Sequence, residues 1–264
     1  MNVGFIGCGN MGGALARAVC RVSEAKVYIS DYSEEKAKAF ANENGAFATS
    51  NEFIASQCDF IFLAVKPNVF PSVLTPLRDL FAKNSSSVIV TMAAGLSLDT
   101  VGALVGGNHA IIRIMPNTPA AIGEGMITWC KNAPVTDKAV GEFEVLLSHA
   151  GRLDAIDERL IDAASAVAGC GPAFVYMFID ALADGGVQCG LPRDKALMYA
   201  AETLKGAADM VMKTGKHPGL LKDEVCSPGG TTIEGVAALE AGAFRATVSE
   251  AVVAAFEKTK MLGK

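Results

Sequence analysis

The chain of 264 residues is 51% hydrophobic and 19% charged, with a formal net charge of −5, and its length allows two modest domains. This composition excludes a disordered chain, and the acidic balance gives no reason to expect nucleic-acid binding. No run of about eighteen uninterrupted apolar residues is present, so we expect no membrane-spanning segment.

The N-terminal stretch predicts a dinucleotide-binding unit. Val3–Ile6 is a short apolar strand, Gly7–Gly12 is a glycine turn, and a helix follows from Ala14. In this motif the first glycine permits a sharp turn, the second lets the backbone approach a pyrophosphate, and the third brings helix and strand close together. The helix N-terminus then offers free N–H groups and a positive dipole to the phosphates. The predicted cofactor residues are Gly7, Cys8, Gly9, Asn10, Met11 and Gly12.

The second predicted strand, Lys26–Asp31, ends in a carboxylate. Asp31 lies 19 residues after Gly12, where an acidic side chain can bind the ribose hydroxyls of the adenosine half. The alternative interpretation is that Asp31 caps the helix that follows it.

Further strands alternate with helical segments, which predicts a Rossmann-like, doubly wound parallel sheet. These strands are Gly45–Ala48, Cys58–Val65, Ser87–Met92, Ala110–Met115, Gly125–Cys130 and Gly151–Ile156. Ligands of such sheets bind beyond the carboxyl ends of the strands. Small residues there let a nicotinamide lie close to the backbone, and Lys66 can reach ribose or phosphate. The alternatives are that Lys66 is only a solvated lysine and that Asn117 is only part of a turn. The predicted cofactor residues at these ends are Ala64, Val65, Lys66, Pro67, Ala93, Ala94, Gly95, Pro116 and Asn117.

From about Asp157 the strand-like runs stop and alanine-rich helical segments follow. We therefore predict a dinucleotide-binding domain at 1–156 and an all-α domain for oligomerisation and substrate binding at 157–264. The predicted helices are Leu160–Ala168, Pro172–Gln188, Pro192–Thr214, Ile233–Leu239 and Ala243–Met261. One of them contains the unbroken apolar run Phe174–Ile179, and a helix that is hydrophobic all round must be buried. A helical domain of about a hundred residues is too short to bury this surface alone. We therefore expect a homo-oligomer whose helical domains pack together.

The loop Cys226–Thr232 is the other informative stretch. Its glycine pair, Gly229 and Gly230, precedes Thr231 and Thr232 at a predicted helix N-terminus, where backbone N–H groups can bind an anion. A threonine N-cap after a glycine turn is the alternative. No histidine, cysteine or carboxylate forms an evident general-base constellation, which indicates a reaction that needs little proton transfer from side chains.

Several motifs together resemble pyrroline-5-carboxylate reductase. They are Gly4–Gly12, Ala64–Pro67, Met115–Pro119, Leu221–Asp223 and Ser227–Thr232. The glycine motif is shared by many families, whereas the SPGGTT loop is close to diagnostic, and the resemblance covers the whole chain in order. It implies hydride transfer from reduced NADP or NAD to the C=N carbon of 1-pyrroline-5-carboxylate, giving L-proline, in a dimer interleaved through the helical domain.

The resemblance also implies roles for the SPGGTT loop. The threonine that matches Thr232 hydrogen-bonds the ring nitrogen of the substrate and is the candidate catalytic residue. The N–H groups around Gly230 and Thr231, with Gly229 beside them, hold the substrate carboxylate. A protonated cyclic imine accepts hydride readily, so the enzyme must mainly align the reactants and exclude water. This accounts for the absence of an evident general base.

The residues after the second strand bear on the choice of cofactor. Family members that favour NADPH usually carry small polar or basic residues there, whereas this chain has Asp31 followed by Tyr32. The Asp31 carboxylate repels a 2′-phosphate and favours NADH, although Ser30, Ser33 and Asn51 leave room for NADPH.

Two other functions stay open at this stage. A relative of the β-hydroxyacid dehydrogenases also has a Rossmann domain with a helical tail, but the Lys66–Pro67 pair and the SPGGTT loop argue against it. A non-catalytic NAD(P)-sensing protein is the remoter alternative. The scattered cysteines form no metal or disulfide pattern, and the strand at the N-terminus leaves no room for a signal peptide. We therefore expect a cytoplasmic protein without metal, nucleic-acid or membrane partners.

Overall fold

The computed structural model describes residues 1–262, so the last two residues of the predicted 157–264 domain, Gly263 and Lys264, lie outside the described residues. Contacts divide the chain into two compact units. Unit 1 comprises Met1–Cys170 and the end of the last helix from Ala255, and unit 2 comprises Gly171–Ala254.

Unit 1 extends beyond residue 156 because the helical turns after the last strand pack on the sheet. Ile161, in the first of these turns, is fully buried in the same apolar cluster as Ile111 and Met115. The predicted domain boundary at 156/157 therefore does not coincide with the boundary between the compact units at 170/171. The assignment of separate functions to residues 1–156 and 157–264 stays a prediction.

Unit 1 is built on one eight-stranded sheet. Its strands are β1 (Asn2–Ile6), β2 (Lys26–Ser30), β3 (Phe47–Ala48), β4 (Phe60–Leu63), β5 (Val88–Thr91), β6 (Ala110–Met115), β7 (Gly125–Lys131) and β8 (Gly151–Ala155). They are ordered β3-β2-β1-β4-β5-β6-β7-β8 across the sheet. The first six form parallel pairs in the Rossmann order, which confirms the predicted fold class.

The last two strands depart from the prediction of a wholly parallel sheet. β7 is antiparallel to β6, and β8 is parallel to β7. The connection from β6 to β7 holds only a short 3₁₀ turn, Thr118–Ile122, and is too short for the crossover that parallel neighbours require. A full helix separates β7 from β8, so that pair returns to the parallel arrangement.

Helices cover both faces of this sheet. Those of unit 1 are α1 (Asn10–Val19), α2 (Glu34–Asn44), α3 (Asn51–Gln57), α4 (Phe70–Leu74), α5 (Arg78–Lys83), α6 (Leu98–Val105), α7 (Asp137–Leu147) and α8 (Ile161–Ala164). Side chains alternate along the strands, so Phe5 and Phe62 stack at 4.4 Å in the core under α1 and α7. Ile61 and Leu63 point to the opposite core, under α3 to α6. This two-sided burial explains the nearly continuous apolar strands.

Unit 2 is helical, as predicted. Its helices are α9 (Gly171–Gln188), α10 (Arg193–Thr214), α11 (Pro218–Val225), α12 (Thr231–Ala241) and the first part of α13 (Phe244–Leu262). The predicted helix Leu160–Ala168 is instead α8 followed by a π-helical turn, Ser165–Gly169. Helix α11 is an additional element, and α12 begins at Thr231, two residues before the predicted start.

Unit 2 leaves much of its apolar surface uncovered. In α9 only Ala183 is buried, whereas Met177 is 73% exposed. An apolar groove with a volume of about 750 Å³ is lined by α9, α12 and α13. Its larger side chains include Phe174, Met177, Phe178, Leu182, Leu239 and Phe244.

The helical stretch Glu158–Gln188 is long and apolar enough, by length and composition, to cross a membrane. The stretch reaches this level without an uninterrupted apolar run of eighteen residues, because alanines and glycines keep it apolar despite its few acidic residues. The expectation that no segment spans a membrane stays a prediction. Length and composition do not distinguish a membrane span from a helix that another protein surface covers, and the groove beside this helix favours the second explanation.

The exposed apolar side chains of α9 and of the groove predict an obligate oligomer, because monomeric proteins rarely expose large contiguous apolar patches. Light scattering at low micromolar concentration should give at least twice the mass of one chain. Met177→Glu should shift the protein toward monomer, whereas Val145→Glu, at an exposed apolar position on α7, should not. A folded, active monomer of the unmodified protein would contradict this prediction.

Candidate functional site

The glycine turn between β1 and α1 has the geometry that its sequence predicts. Gly7 has φ +101°, which a residue with a side chain rarely adopts. A Cβ at Gly12 would lie 2.5 Å from the carbonyl oxygen of Gly7 and 2.6 Å from Cβ of Ala64, so only glycine lets α1 approach the strands this closely. A Cβ at Gly9 would meet no atom within 4 Å. The space over the turn is therefore open.

The N-terminus of α1 is free to bind an anion. Its N-cap is Gly9, which offers no side chain to the first-turn N–H groups. Asn10 is exposed and Met11 is half-buried at the same end of the helix. These features fit the pyrophosphate of a dinucleotide, which needs close backbone approach and unpaired N–H donors.

Asp31 is tied to the glycine turn. Its Oδ2 accepts a hydrogen bond from the Cys8 N–H at 2.8 Å, and its Oδ1 accepts one from the Ser33 N–H at 3.1 Å. Burial raises the pKa of Asp31, but these N–H groups outweigh that effect and hold the pKa below its ordinary value. The carboxylate is therefore ionised at neutral pH.

The proposed capping role of Asp31 is wrong. The N-cap of α2 is Ser33, whose Oγ accepts from the Lys36 N–H at 3.3 Å.

The Cys8 thiol also donates to Asp31, at 3.4 Å, and burial together with this carboxylate raises the pKa of Cys8 to about 11.

Ser30 and Asn51 lie together beside Asp31. The Ser30 hydroxyl donates to Oδ1 of Asn51 at 2.5 Å, which leaves the amide N–H₂ of Asn51 available to a ligand. Asp31 and Asn51 line a cavity of about 460 Å³ at the carboxyl end of β2. The sequence had not indicated that Glu34 and Glu52 also line this cavity.

The charge of this cavity is strongly acidic. Its one lysine, Lys38, pairs with Glu34 at 3.0 Å, so Asp31 and Glu52 carry the net negative charge of the cavity. Tyr32 stands fully exposed at the rim.

The loops at the carboxyl ends of β4 and β5 lie on the same side of the sheet as the glycine turn, because β4 is the neighbour of β1 and β5 is the next strand. Ala64 contacts the turn directly: a Cβ at Gly7 would lie 2.7 Å from its carbonyl oxygen. Val65 and Pro67 are half-buried, and Lys66 between them is exposed, so the interpretation of Lys66 as a solvated lysine stays open. The remaining residues of this set are Ala93, which is buried, and Ala94 and Gly95, which are half-buried.

Asn117 has a role that the sequence did not reveal. Its Nδ2 donates to the carbonyl oxygen of Ala168 at 3.0 Å, and its Oδ1 accepts from the Met126 N–H at 2.9 Å. The carbonyl of Ala168 lies in the π-helical turn, so the Asn117 amide supplies it with a partner. Pro116 is buried beside it. Asn117 therefore has one amide hydrogen left for a cofactor and serves chiefly to join β6, β7 and the π-helical turn.

In unit 2 the first turn of α12 has no side-chain cap for its N–H groups. Gly229 has φ +65°, and the Gly230 N–H donates back to the Ser227 carbonyl at 3.0 Å. The N-cap of α12 is Gly230, with no side-chain hydrogen bond, so the alternative that a threonine caps this helix is wrong. Thr231 is exposed, and Thr232 is half-buried where it lines the apolar groove.

Comparison with known proteins identifies the family. A family model described as pyrroline-5-carboxylate reductase dimerisation matches residues 158–262, and one described as NADP oxidoreductase, coenzyme F420-dependent, matches residues 2–95. The chain is 41% identical to pyrroline-5-carboxylate reductase of Escherichia coli strain K12, over 99% of this chain and 98% of that protein. The chain belongs to the pyrroline-5-carboxylate reductases. The reductase of Arabidopsis thaliana is 40% identical, over 99% and 95%.

Solved structures agree with this assignment. Pyrroline carboxylate reductase of Plasmodium falciparum, with NADP bound, matches with a TM-score of 0.89 and 35% identity, over 100% of this chain and 98% of that one. The 1-pyrroline-5-carboxylate reductase of Streptococcus pyogenes matches with a TM-score of 0.90 and 34% identity, over 99% and 98%. This reductase is therefore an NAD(P)-dependent oxidoreductase that acts on a C=N bond.

Gly12 and its neighbour Gly13 provide a matched test of the glycine turn. Gly12→Ala should lower the melting temperature by several degrees and weaken NADH binding about tenfold or more. The added Cβ would lie too close to the Gly7 carbonyl oxygen, so the backbone of the turn would have to move. Gly13→Ala should keep binding and stability, since its Cβ would meet Cys8 and Phe40 at ordinary contact distances of 3.4 and 3.6 Å. Fluorescence titration and thermal melting measure both. NADH binding by Gly12→Ala at the level of the unmodified reductase would show that the close approach is not needed.

Proposed function

We propose that this reductase converts 1-pyrroline-5-carboxylate to L-proline, with the substrate held by the loop Ser227–Thr232. The observation that carries the proposal is the free helix N-terminus at Gly230, with the uncommitted hydroxyl of Thr232 two residues later. In unit 2 this arrangement offers an anion site and a hydroxyl close together, which are the two features that a cyclic imino acid requires.

The backbone binds the carboxylate in this proposal. The Gly230 N–H donates to the Ser227 carbonyl at 3.0 Å, whereas the N–H groups of Thr231 and Thr232, in the first turn of α12, face no capping side chain. The helix dipole of α12 favours negative charge at this end. The positive φ of Gly229 turns the chain so that these groups can converge on one anion. Two or more charge-assisted hydrogen bonds then fix the carboxylate and, with it, the orientation of the ring.

Thr232 acts on the ring nitrogen. Its hydroxyl can donate to a neutral imine nitrogen or accept from a protonated one, and in both cases it orients the C=N bond. The apolar side chains that line the groove around Thr232 exclude water from this hydrogen bond. The proton that activates the imine arrives with the substrate, so no side-chain general base is required.

The dinucleotide is held by unit 1. We assign it to the glycine turn Gly7–Gly12, to Ser30, Asp31 and Asn51 at the adenosine half, and to the loops after β4, β5 and β6. When bound, the reduced nicotinamide supplies the hydride. The residues of those loops are Ala64, Val65, Lys66, Pro67, Ala93, Ala94, Gly95, Pro116 and Asn117.

Thr232→Ala tests the substrate role. Loss of one hydrogen bond of about 1–3 kcal/mol should lower kcat/KM for pyrroline-5-carboxylate about tenfold to a hundredfold. NADH affinity and melting temperature should change little, because Thr232 does not cap α12. Thr232→Ser should restore most of the activity, and Thr231→Ala should have a milder effect. If Thr232→Ala melts several degrees lower yet keeps full efficiency, the residue supports the helix and the substrate lies elsewhere.

We also propose that NADH is the preferred cofactor. Asp31, Glu34 and Glu52 line the cavity beside the expected ribose, and the only lysine in that lining is paired. A 2′-phosphate would add its charge to the two unpaired carboxylates, Asp31 and Glu52, and like charges at close range in a partly dry site cost on the order of a few kcal/mol. The ribose hydroxyls of NADH can instead donate to Asp31.

Asp31→Asn tests this preference, because the amide oxygen can still accept from the Cys8 N–H while the charge is lost. We expect KM for NADPH to fall about tenfold relative to KM for NADH. Glu43→Gln, an equal loss of charge on α2 outside the cavity, should leave the ratio unchanged. Oxidation of both cofactors with pyrroline-5-carboxylate, measured side by side, gives the ratios. Equal ratios in all three proteins would mean that Asp31 only supports the glycine turn.

The helical half supports a homodimer or larger homo-oligomer. The dimerisation model covers the helices that line the exposed groove, and a second copy of the chain offers a surface of matching apolar character. This occupant, and not a membrane, is what we propose for the stretch Glu158–Gln188. The free cysteines support the proposed cytoplasmic location.

A further inference from the structure

Unit 1 contains a buried arginine that the proposed function does not use. Arg113 on β6 has a side chain only 4% exposed, and its Nη1 lies 3.3 Å from Oε1 of Glu158. Its Nη2 lies 2.6 Å from Oδ1 of Asp162. Both carboxylates are about one-third exposed, at 33% and 30%. The Arg113 Nε has no partner among the described residues.

Such a cluster needs an explanation beyond stability. Removing an arginine from water is costly, and apolar side chains of similar size in the same place are often at least as stabilising. Arg113 lies in the sheet between Thr91 on one side and Cys130 on the other, close to the carboxyl ends of the strands where ligands bind. The cluster therefore lies near the loops that follow these strands.

Glu158 connects the cluster to one of these loops. Its Oε1, which contacts Arg113, also accepts a hydrogen bond from the Leu98 N–H at 2.7 Å. Leu98 is the first residue of α6, and the N-cap Ser97 accepts from Thr100, so Leu98 depends on Glu158 for its partner. The segment from Ala93 to Ser97 is thus attached at its far end through Glu158.

The near end of the same loop is attached to the sheet. The Ala93 N–H lies 3.4 Å from Oγ1 of Thr91, the fully buried residue that pairs with Arg113 in register. Between the two ends, Gly95 has φ +77°, so the loop turns sharply. Ala93 is buried in an apolar cluster, with Ala94 and Leu96 packed against it, so apolar packing holds the middle of the segment and the two polar attachments fix its ends.

We infer that Glu158, held in place by Arg113, is a positioning residue for the loop Ala93–Gly95 and thereby for the nicotinamide half of the cofactor. Asp162 shares the arginine but makes no hydrogen bond to this loop. The inference rests on the assignment of Ala93–Gly95 to the nicotinamide half in the proposed function. It does not depend on the role of Thr232.

The two carboxylates provide a matched pair of variants. If the cluster serves only stability, the loss of NADH affinity in Glu158→Ala and in Asp162→Ala should follow the loss of melting temperature, because both variants remove a contact of Arg113. If Glu158 positions the loop, Glu158→Ala should weaken NADH binding about tenfold, whereas Asp162→Ala should change it less than about twofold at equal or greater loss of melting temperature. Glu158→Gln should restore binding, since the amide oxygen can still accept from Leu98.

The measurement is direct binding of NADH and of ADP, followed by fluorescence and calorimetry on the whole protein. ADP occupies the adenosine and pyrophosphate part of the site only, so its affinity should be the same in all four proteins. Turnover of pyrroline-5-carboxylate is recorded separately, so absence of turnover in the unmodified protein would refute the proposed function while the binding comparison still tests the positioning role. Equal NADH affinities in Glu158→Ala and Asp162→Ala, or a parallel loss of ADP binding, would overturn the inference.

Discussion

The close approach of α1 to the two central strands is the constraint on which the rest of unit 1 depends. Gly12 lies so near the Gly7 carbonyl and Ala64 that a single methyl group would separate the helix from the sheet. This approach aims the free N–H groups of α1 at the crevice between β1 and β4, where the strand order changes direction. Asp31, Asn51 and the loops after β4 and β5 all take their positions around that crevice.

Much of this could be predicted from the sequence because local rules govern it. The glycine turn, the strand before it and the acid at the end of β2 all follow from backbone geometry over a few residues. The reversal of β7 was missed because it depends on the length of one connection. The hydrogen bonds of Asp31 with Cys8 and of Asn117 with Ala168 were missed because these partners lie 23 and 51 residues away in the chain. Sequence periodicity carries no information on such contacts.

The two units differ in how they obtain stability. Unit 1 buries its apolar strands between two layers of helices and needs no partner for its core. Unit 2 has only three fully buried alanines at the contact of α9 and α10, and its larger side chains remain exposed in the single chain. The apolar run Phe174–Ile179 predicted this imbalance, but only the structure shows that the exposed side chains line one groove together with Thr232. In the proposed function, association and substrate binding therefore share a surface.

The hydrogen bond from the Cys8 thiol to Asp31 has a chemical consequence for the glycine turn. The thiolate is the form of cysteine that peroxides and electrophiles attack, and a thiol with a pKa of about 11 is almost fully protonated at cellular pH. A cysteine in contact with a dinucleotide could otherwise disable the enzyme on oxidation to sulfenic acid. Here burial, together with the hydrogen bond to Asp31, keeps the Cys8 thiol protonated, so little thiolate is present at the glycine turn.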